Sequence, residues 1–241
     1  MRNLCIDVGN TRVKVAIFEN NISLIEVNWR KLSARKLEEL LDEYQPTQAI
    51  LSSVRKRYGK IMNLLKERVE NVLRLSSKLS LPIVNLYETP ETLGNDRIAG
   101  VMGAALLFPN TAVLVVDAGT CITYDFMTAD KTYHGGSILP GIDMRLEALS
   151  TLTARLPHLE RADLNDFIGK STATSIQTGV QVGVLHELKG FIEQYIARFG
   201  DLKVVLTGGD ATYFESQLKN KIFVQPNLVL VGLNHILNSA S

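Results

Sequence analysis

From Leu4 to Val8 the chain is almost wholly apolar, and beyond Gly9 and Asn10 the apolar residues Val13, Val15 and Ile17 alternate with Arg12, Lys14 and Ala16. A period of two predicts a β-hairpin, and a third strand is expected over Ile22 to Val27. The period then changes. Ser33 stands where an N-cap belongs, and Leu37, Leu40 and Leu41 share one face of a helix that ends near Pro46. Ala49 to Val54 returns to strand, and Ile61, Leu64, Leu65 and Val69 are spaced for a second amphipathic helix. Val72 to Leu75 and Ile83 to Leu86 read as short extended pieces. A helix rich in Ala and Gly is expected from Asp96 to Leu107, closed by Pro109 and Asn110. The boundary between an N-terminal lobe, 1–109, and a C-terminal lobe, 110–241, is placed there.

The second lobe repeats the order: strand Ala112 to Val116, strand Ile122 to Phe126, and a third strand around Thr132 to Ile138. Pro140 and Gly141 are expected to open a helix through Leu149. A loop holding Pro157 and Gly169 leads to a long helical pattern from Thr172 to Phe199. Lys203 to Leu206 is a buried-type strand ending at Thr207-Gly208-Gly209-Asp210, where a glycine pair marks either a close approach to a ligand or a plain strand-to-helix turn. A last strand, Ile222 to Val224, and a helix, Asn227 to Leu237, finish the pattern. The expected class is α/β in two lobes with no low-complexity linker.

Composition narrows the function classes. The 241 residues are 46% hydrophobic and 21% charged, an ordinary profile for a chain that buries a large core. A net charge of +1 gives no footprint for nucleic acid, and the cluster Arg55, Lys56 and Arg57 reads as a solvated loop. No apolar run reaches the roughly 18 residues needed to cross a bilayer, and the chain enters a strand pattern at once, so a cytoplasmic protein without membrane attachment is expected. Cys5 and Cys121 read as small buried thiols, which fits a reducing compartment.

Two acidic-glycine-threonine turns follow the apolar strands: Asp7-Val8-Gly9-Asn10-Thr11 and Asp117-Ala118-Gly119-Thr120. Glycine lets backbone amides approach phosphate oxygens, threonine adds a hydroxyl donor, and a carboxylate holds the cation that offsets phosphate charge. Taken singly, Asp-x-Gly is an ordinary turn. As a pair at matching places in two lobes, the turns point to a phosphate site.

A third cluster, Tyr87 to Arg97, sets a carboxylate beside a guanidinium just after Gly94, at the start of a helix. Asp96 in that place is either a favourable charge near the helix N-terminus or the acceptor of a proton from an attacking hydroxyl. Arg97 either pairs with a neighbour or fixes an anionic group of the substrate. Phosphoryl transfer to an alcohol uses the second member of each pair.

These residues resemble the type III pantothenate kinases, within the superfamily of acetate and sugar kinases, Hsp70 and actin. Asp7, Val8, Gly9, Asn10, Thr11, Arg12, Val13 and Lys14 are similar to the family's first phosphate loop, Asp-x-Gly-Asn-Thr-x-x-Lys. Leu93 to Arg97 resembles its Leu-Gly-x-Asp-Arg substrate motif, and Asp117 to Thr120 its second phosphate loop. Gly135, Gly136, Ile138, Pro140 and Gly141 match Gly-Gly-x-Ile-x-Pro-Gly, and Ser171-Thr172 resembles the pair opening the family's long helix.

The resemblance implies two ribonuclease-H-like lobes, each a mixed β-sheet with flanking helices, and transfer of the ATP γ-phosphate to the primary hydroxyl of pantothenate. That is the first step of coenzyme A synthesis. Asp96 would be the general base; Tyr87, Gly94, Asn95, Asp96 and Arg97 would hold pantothenate; residues 7 to 14 and Thr120 would bind ATP. Asp117 would bind a monovalent cation, potassium or ammonium. Asp7 is the choice for the magnesium of Mg-ATP, because a carboxylate beside a phosphate loop meets the metal directly or through water. Thr172 would reach pantothenate across the interface of a homodimer, with the C-terminal lobe supplying the dimerisation helices.

No catalytic histidine is assigned: His134, beside the glycine pair, reads either as a nucleotide contact or as a plain loop histidine, and His158, His186 and His235 show no ligand spacing to one another. Trp29 reads as strand-edge packing, Met102 and Met144 as core filler, and Ser52-Ser53 carries no nucleophile signature. Two other functions remain open. One is a non-catalytic regulator resembling the Bvg accessory factors. The other is a kinase for a different small hydroxyl or carboxylate acceptor, since phosphate loops report the donor better than the acceptor.

Overall fold

The computed structural model describes residues 1–54, 58–218 and 222–240, so the Arg55-Lys56-Arg57 cluster lies outside the described residues. In chain order the first elements are β1 (Arg2–Val8), β2 (Val13–Glu19), β3 (Ile22–Trp29), α1 (Ala34–Tyr44), β4 (Gln48–Ser53) and α2 (Gly59–Arg68). Next come β5 (Asn71–Arg74), β6 (Val84–Asn85), a 3-10 turn at Pro90–Thr92 and α3 (Asn95–Leu107). The remainder comprises β7 (Val113–Ala118), β8 (Cys121–Met127), β9 (Thr132–Pro140), α4 (Ile142–Thr151), α5 (Thr172–Phe199), β10 (Lys203–Thr207), α6 (Ala211–Glu215), β11 (Ile222–Val224) and α7 (Leu228–Ser239).

The described chain forms two compact units. The first is Met1–Thr111, Met127–His134 and Asn227–Ser241; the second is Ala112–Phe126 and Gly135–Pro226. This division departs from lobes cut at 109/110 in three places, because Asn110 and Thr111, the tips of β8 and β9 with the turn between them, and the whole of α7 belong to the first unit. A cut read from sequence follows chain order, whereas α7 finds its apolar partner in α3, more than a hundred residues earlier.

In the first unit the sheet order is β3-β2-β1-β4-β5. β1 pairs antiparallel with β2 and parallel with β4, which pairs parallel with β5. The alternation that predicts the hairpin is real: Val13, Val15 and Ile17 join Leu4, Ile6 and Val8 in a core that also takes Leu37, Leu40 and Leu41 from α1. Ser33 caps α1 as expected, its Oγ accepting from the Lys36 amide, a contact worth about 1 kcal/mol. Trp29 ends β3 nearly buried, with the Lys36 ammonium 5.9 Å from its ring centroid. The two residues of β6 pair in parallel with Thr132 and Tyr133.

Helix α7 is apolar nearly all round and lies directly on α3. A Cβ at Gly103 would stand 2.5 Å from the Leu228 carbonyl oxygen, and one at Gly232 only 1.7 Å from that of Ala99. The glycines therefore set the helix spacing. A buried amide chain fixes α7 along its axis: Asn3 Nδ2 donates to Asn234 Oδ1 at 2.8 Å and to Asn238 Oδ1 at 2.7 Å, while Asn234 Nδ2 donates to the Asn20 carbonyl at 2.8 Å.

The second unit contains the order β11-β10-β7-β8-β9, the same arrangement as in the first with β7 in the place of β1. Its core gathers Leu114, Val116, Ile122, Tyr124 and Phe126 from the sheet with Val184, Leu188 and Ile192 from α5. Phe126 stacks on Phe199 at 4.1 Å and Tyr124 on Phe191 at 4.4 Å. Burial pushes the Tyr124 phenol well above its ordinary range.

Three local expectations need correction. Pro140 ends β9 rather than opening α4, whose first residue is Ile142, because an edge residue of a sheet tolerates the missing N–H. Asp117 and Ala118 belong to β7, so only Gly119 and Thr120 make the turn. The short helix α6 and the turn at Pro90–Thr92 were not foreseen, being too brief to show a helical period. Among the described residues no helix is long and apolar enough to cross a membrane.

Candidate active site

Asp7 and Val8 are the last residues of β1, so the Asp7 side chain leaves the sheet from a rigid strand and the turn begins at Gly9. Asp7 is only 8% exposed, and Ser52 on the neighbouring strand β4 donates its Oγ to Asp7 Oδ1 at 3.0 Å. The register puts these residues side by side, Asp7 against Ser52, which is how a serine without nucleophile character comes to orient the carboxylate. The turn is closed by the Gly9 amide donating to the Arg12 carbonyl at 3.0 Å, and Asn10, Thr11 and Arg12 are exposed. Lys14 sits opposite Asp7 in the hairpin register, half-buried.

The acceptor-side cluster is also in the first unit. Gly94 is the N-cap of α3, and Asp96 lies in its first turn, half-buried, with Oδ1 accepting from the Arg97 amide at 2.9 Å. Both readings of Asp96 thus find a basis, since a cap-region carboxylate with one oxygen engaged keeps its second oxygen for a proton. Asn95 Nδ2 donates to the Leu75 carbonyl at 3.1 Å and ties the motif to the end of β5. Arg97 is 6% exposed; its guanidinium stands 5.5 Å from the Tyr87 ring centroid, and Nη1 donates to Tyr87 Oη at 3.5 Å. Tyr87 in turn lies 6.4 Å from the Tyr133 ring. A buried guanidinium laid on an aromatic ring beside a half-exposed carboxylate suits an anionic, hydroxyl-bearing molecule.

The second unit holds the other acidic turn. Asp117 is half-buried near the end of β7 and Thr120 is exposed. Two glycines press against this turn. A Cβ on Gly208, whose φ is +93°, would stand 2.2 Å from the Ala118 carbonyl oxygen and 2.5 Å from Asp117 Oδ1; one on Gly141 would stand 2.1 Å from the Gly119 carbonyl oxygen. The Asp210 amide donates to the Ala118 carbonyl at 2.9 Å and the Gly141 amide to that of Thr120 at 3.0 Å. Of the glycine pair after β10, Gly208 therefore makes the close approach to the second acidic turn, while a Cβ on Gly209 would meet nothing within 4 Å. Thr172 is the exposed first residue of α5, behind a capping box of Ser171 and Thr174.

Of the expected residues, Asp7 to Lys14, Tyr87 and Gly94 to Arg97 lie in the first unit, and Asp117, Thr120 and Thr172 in the second. Sequence reasoning missed Ser52, whose partner becomes evident only from strand register; it singled out Gly208 but not its contact with Asp117, which follows from the pairing of Thr207 with Asp117.

A family model described as type III pantothenate kinase matches residues 3–194. This chain belongs to the type III pantothenate kinase family. It is 44% identical over 237 residues to a type III pantothenate kinase of Bacteroides fragilis, covering 98% of this chain and 97% of that protein. The chain is accordingly an enzyme of a kinase family that serves coenzyme A biosynthesis. The fold is shared with more distant structures. A Baf family transcriptional activator from Campylobacter jejuni matches with a TM-score of 0.61 at 21% identity over 98% of both chains. A glucokinase from an Antarctic psychrotroph matches with a TM-score of 0.57 at 12% identity over 99% of both. The α/β architecture of two ribonuclease-H-like sheets is thus that of the sugar kinases and actin-like ATPases.

Proposed function

We propose that the chain transfers the γ-phosphoryl group of ATP to the primary hydroxyl of pantothenate, with Asp96 as general base, in the cytoplasm. The observation that carries this reading is the pairing at the start of α3: a half-buried Asp96 held by the Arg97 amide, next to an Arg97 guanidinium stacked on Tyr87. Arg97 and Tyr87 fix the carboxylate end of pantothenate, and Gly94 and Asn95 shape the backbone around its hydroxyl arm. Asp96 takes the hydroxyl proton as the oxygen attacks phosphorus. Residues 7 to 14 and Thr120 hold ATP, the glycines of the two turns letting the backbone come close to the phosphates and the threonines adding hydroxyl donors. Such a reaction needs positioning and charge neutralisation more than covalent help, so no phosphoenzyme forms.

Two cations belong to the proposal. The magnesium ion arrives with the nucleotide and meets Asp7, the buried carboxylate near the end of β1 beside the first phosphate loop. Asp117 suits potassium or ammonium: its carboxylate and the Ala118 carbonyl, both hard oxygens, crowd the space a side chain on Gly208 would occupy. When bound, the cations offset phosphate charge. Thr172, exposed at the head of α5, serves the pantothenate site of the second subunit in a homodimer.

The test is ATP consumption measured in parallel with pantothenate, glycerol, acetate and N-acetylglucosamine. Turnover with pantothenate alone supports the proposal, turnover with another acceptor moves the chain to a different kinase, and turnover with none favours a regulator on the same scaffold.

A further inference from the structure

Residues 152–171, between α4 and α5, contain no helix or strand, yet the middle of this stretch is fastened at three successive residues. Gln177 Nε2 donates to the Glu160 carbonyl at 2.9 Å. The buried Gln181 amide clasps Ala162, accepting from its N–H at 3.0 Å and donating to its carbonyl at 2.9 Å. Between them Arg161 makes four charged hydrogen bonds. Nε and Nη2 donate to the Asp143 oxygens at 2.5 and 2.9 Å, and Nη1 and Nη2 to the Asp210 oxygens at 2.6 and 2.9 Å.

The two carboxylates it joins have particular addresses. Asp143 lies two residues after Gly141, and Asp210 two residues after Gly208. Those are the glycines whose backbones press on the Asp117 to Thr120 turn from α4 and from β10. The Asp210 and Gly141 amides also bond that turn directly. Both contacts are backbone to backbone with no room for a side chain, so a shift of either flank passes straight into the turn. Without a cation between them Asp143 and Asp210 repel, and a guanidinium is the one side chain whose planar fork satisfies both at once.

We propose that Arg161 is a positioning residue for the second phosphate loop, clamping the Gly141 and Gly208 flanks onto Asp117 to Thr120 so that the loop is set for ATP and for the monovalent cation. This rests on the reading of Asp117 to Thr120 as that loop. Arg161 itself touches neither substrate nor cation. A plain anchor for the 152–171 stretch would need only one carboxylate. The fork spends its donors on two, and the Asp210 side chain, 13% exposed, is the more enclosed of them.

The test uses the full chain, with steady-state kinetics in ATP, pantothenate and potassium and a thermal melt for each variant. Arg161→Lys keeps the charge but loses the fork. Its KM for ATP and the potassium concentration giving half-activation should each rise about tenfold, as expected when a binding loop is misplaced by a fraction of an ångström. The KM for pantothenate should stay within about twofold. Asp210→Asn should repeat the pattern more weakly, and it decides the matter when the lysine variant does not fold. A lowered melting temperature with unchanged ATP and potassium constants in these variants, or an equal rise in both KM values, overturns the proposal. Asp117→Asn is measured alongside. If it shifts the potassium dependence and the Arg161 and Asp210 variants do not, the loop assignment stands and the clamp falls; if it too leaves that dependence intact, both fall.

Discussion

The two acidic turns end the corresponding strands of two sheets with the same strand order, yet they are held in different ways. The first is a hairpin turn closed on itself, from the Gly9 amide to the Arg12 carbonyl, with three exposed residues at its tip. The second is gripped from outside, by Gly141 on one flank and Gly208 on the other, with Arg161 joining the residues behind them. Similar motifs therefore differ in preorganisation. Exposed turns with local bonds open at little cost, whereas a turn packed between backbones moves only when its neighbours do. If the proposed site is right, the first loop adjusts around its ligand, whereas the second presents a fixed set of oxygens and amides.

The scale for testing that contrast comes from the chemistry. Asp96→Ala should lower kcat by about 10²- to 10⁴-fold, the usual worth of a general base, with a smaller change in ATP affinity. Near-normal pantothenate phosphorylation by this variant would remove Asp96 from its role. Below that come the loops themselves. Gly208→Ala forces a side chain into a φ of +93° and onto the Ala118 carbonyl, at a cost of about 1–3 kcal/mol, and should raise the KM for ATP by about tenfold or more. Gly9→Ala meets only the Arg12 carbonyl at 3.2 Å and should change the same constant by less than about threefold. Equal effects in the two kinetic assays would erase the difference between the loops.

Cation exchange sharpens the comparison further, since the proposed cation site belongs to the second loop alone. Replacing potassium with sodium should slow the wild-type enzyme several-fold and leave Asp117→Asn nearly indifferent, as read from initial rates at saturating ATP. Rates equally sensitive in both proteins would detach the cation from Asp117. The smallest expected effect lies away from both loops. Burial, with Lys131 adding to it, holds the His235 imidazole below its ordinary pKa, so the unfolded chain binds the proton more readily than the folded one. Stability is then fully present above the ordinary histidine value of 6.5 and declines as pH falls through the depressed one. A melting-temperature profile should show this decline, and His235→Gln should flatten it.

Much of this was legible in the residues. The period-two run after Gly9, the Ser33 cap and the Thr172 to Phe199 helix lie where the hydrophobic pattern places them, because each is a local signal. The acidic turns and the Leu93 to Arg97 motif likewise announce themselves by residue type and spacing. Contacts between distant parts of the chain did not. Ser52 bonds Asp7 through strand register, Asp143 and Asp210 meet at Arg161 through a stretch with no period at all, and α7 joins α3 through a pair of glycines. A glycine spaced for close helix contact and one spaced for a turn look alike until the partner is in place.

That last contact has a bearing on how the molecule is made. Every residue of the second unit leaves the ribosome before α7 does, so the nascent first unit waits with the α3 face and the Asn3 amide uncovered while more than a hundred further residues are synthesised. At about 5–20 residues per second that wait lasts several seconds, long enough for chaperones to engage an unfinished apolar surface.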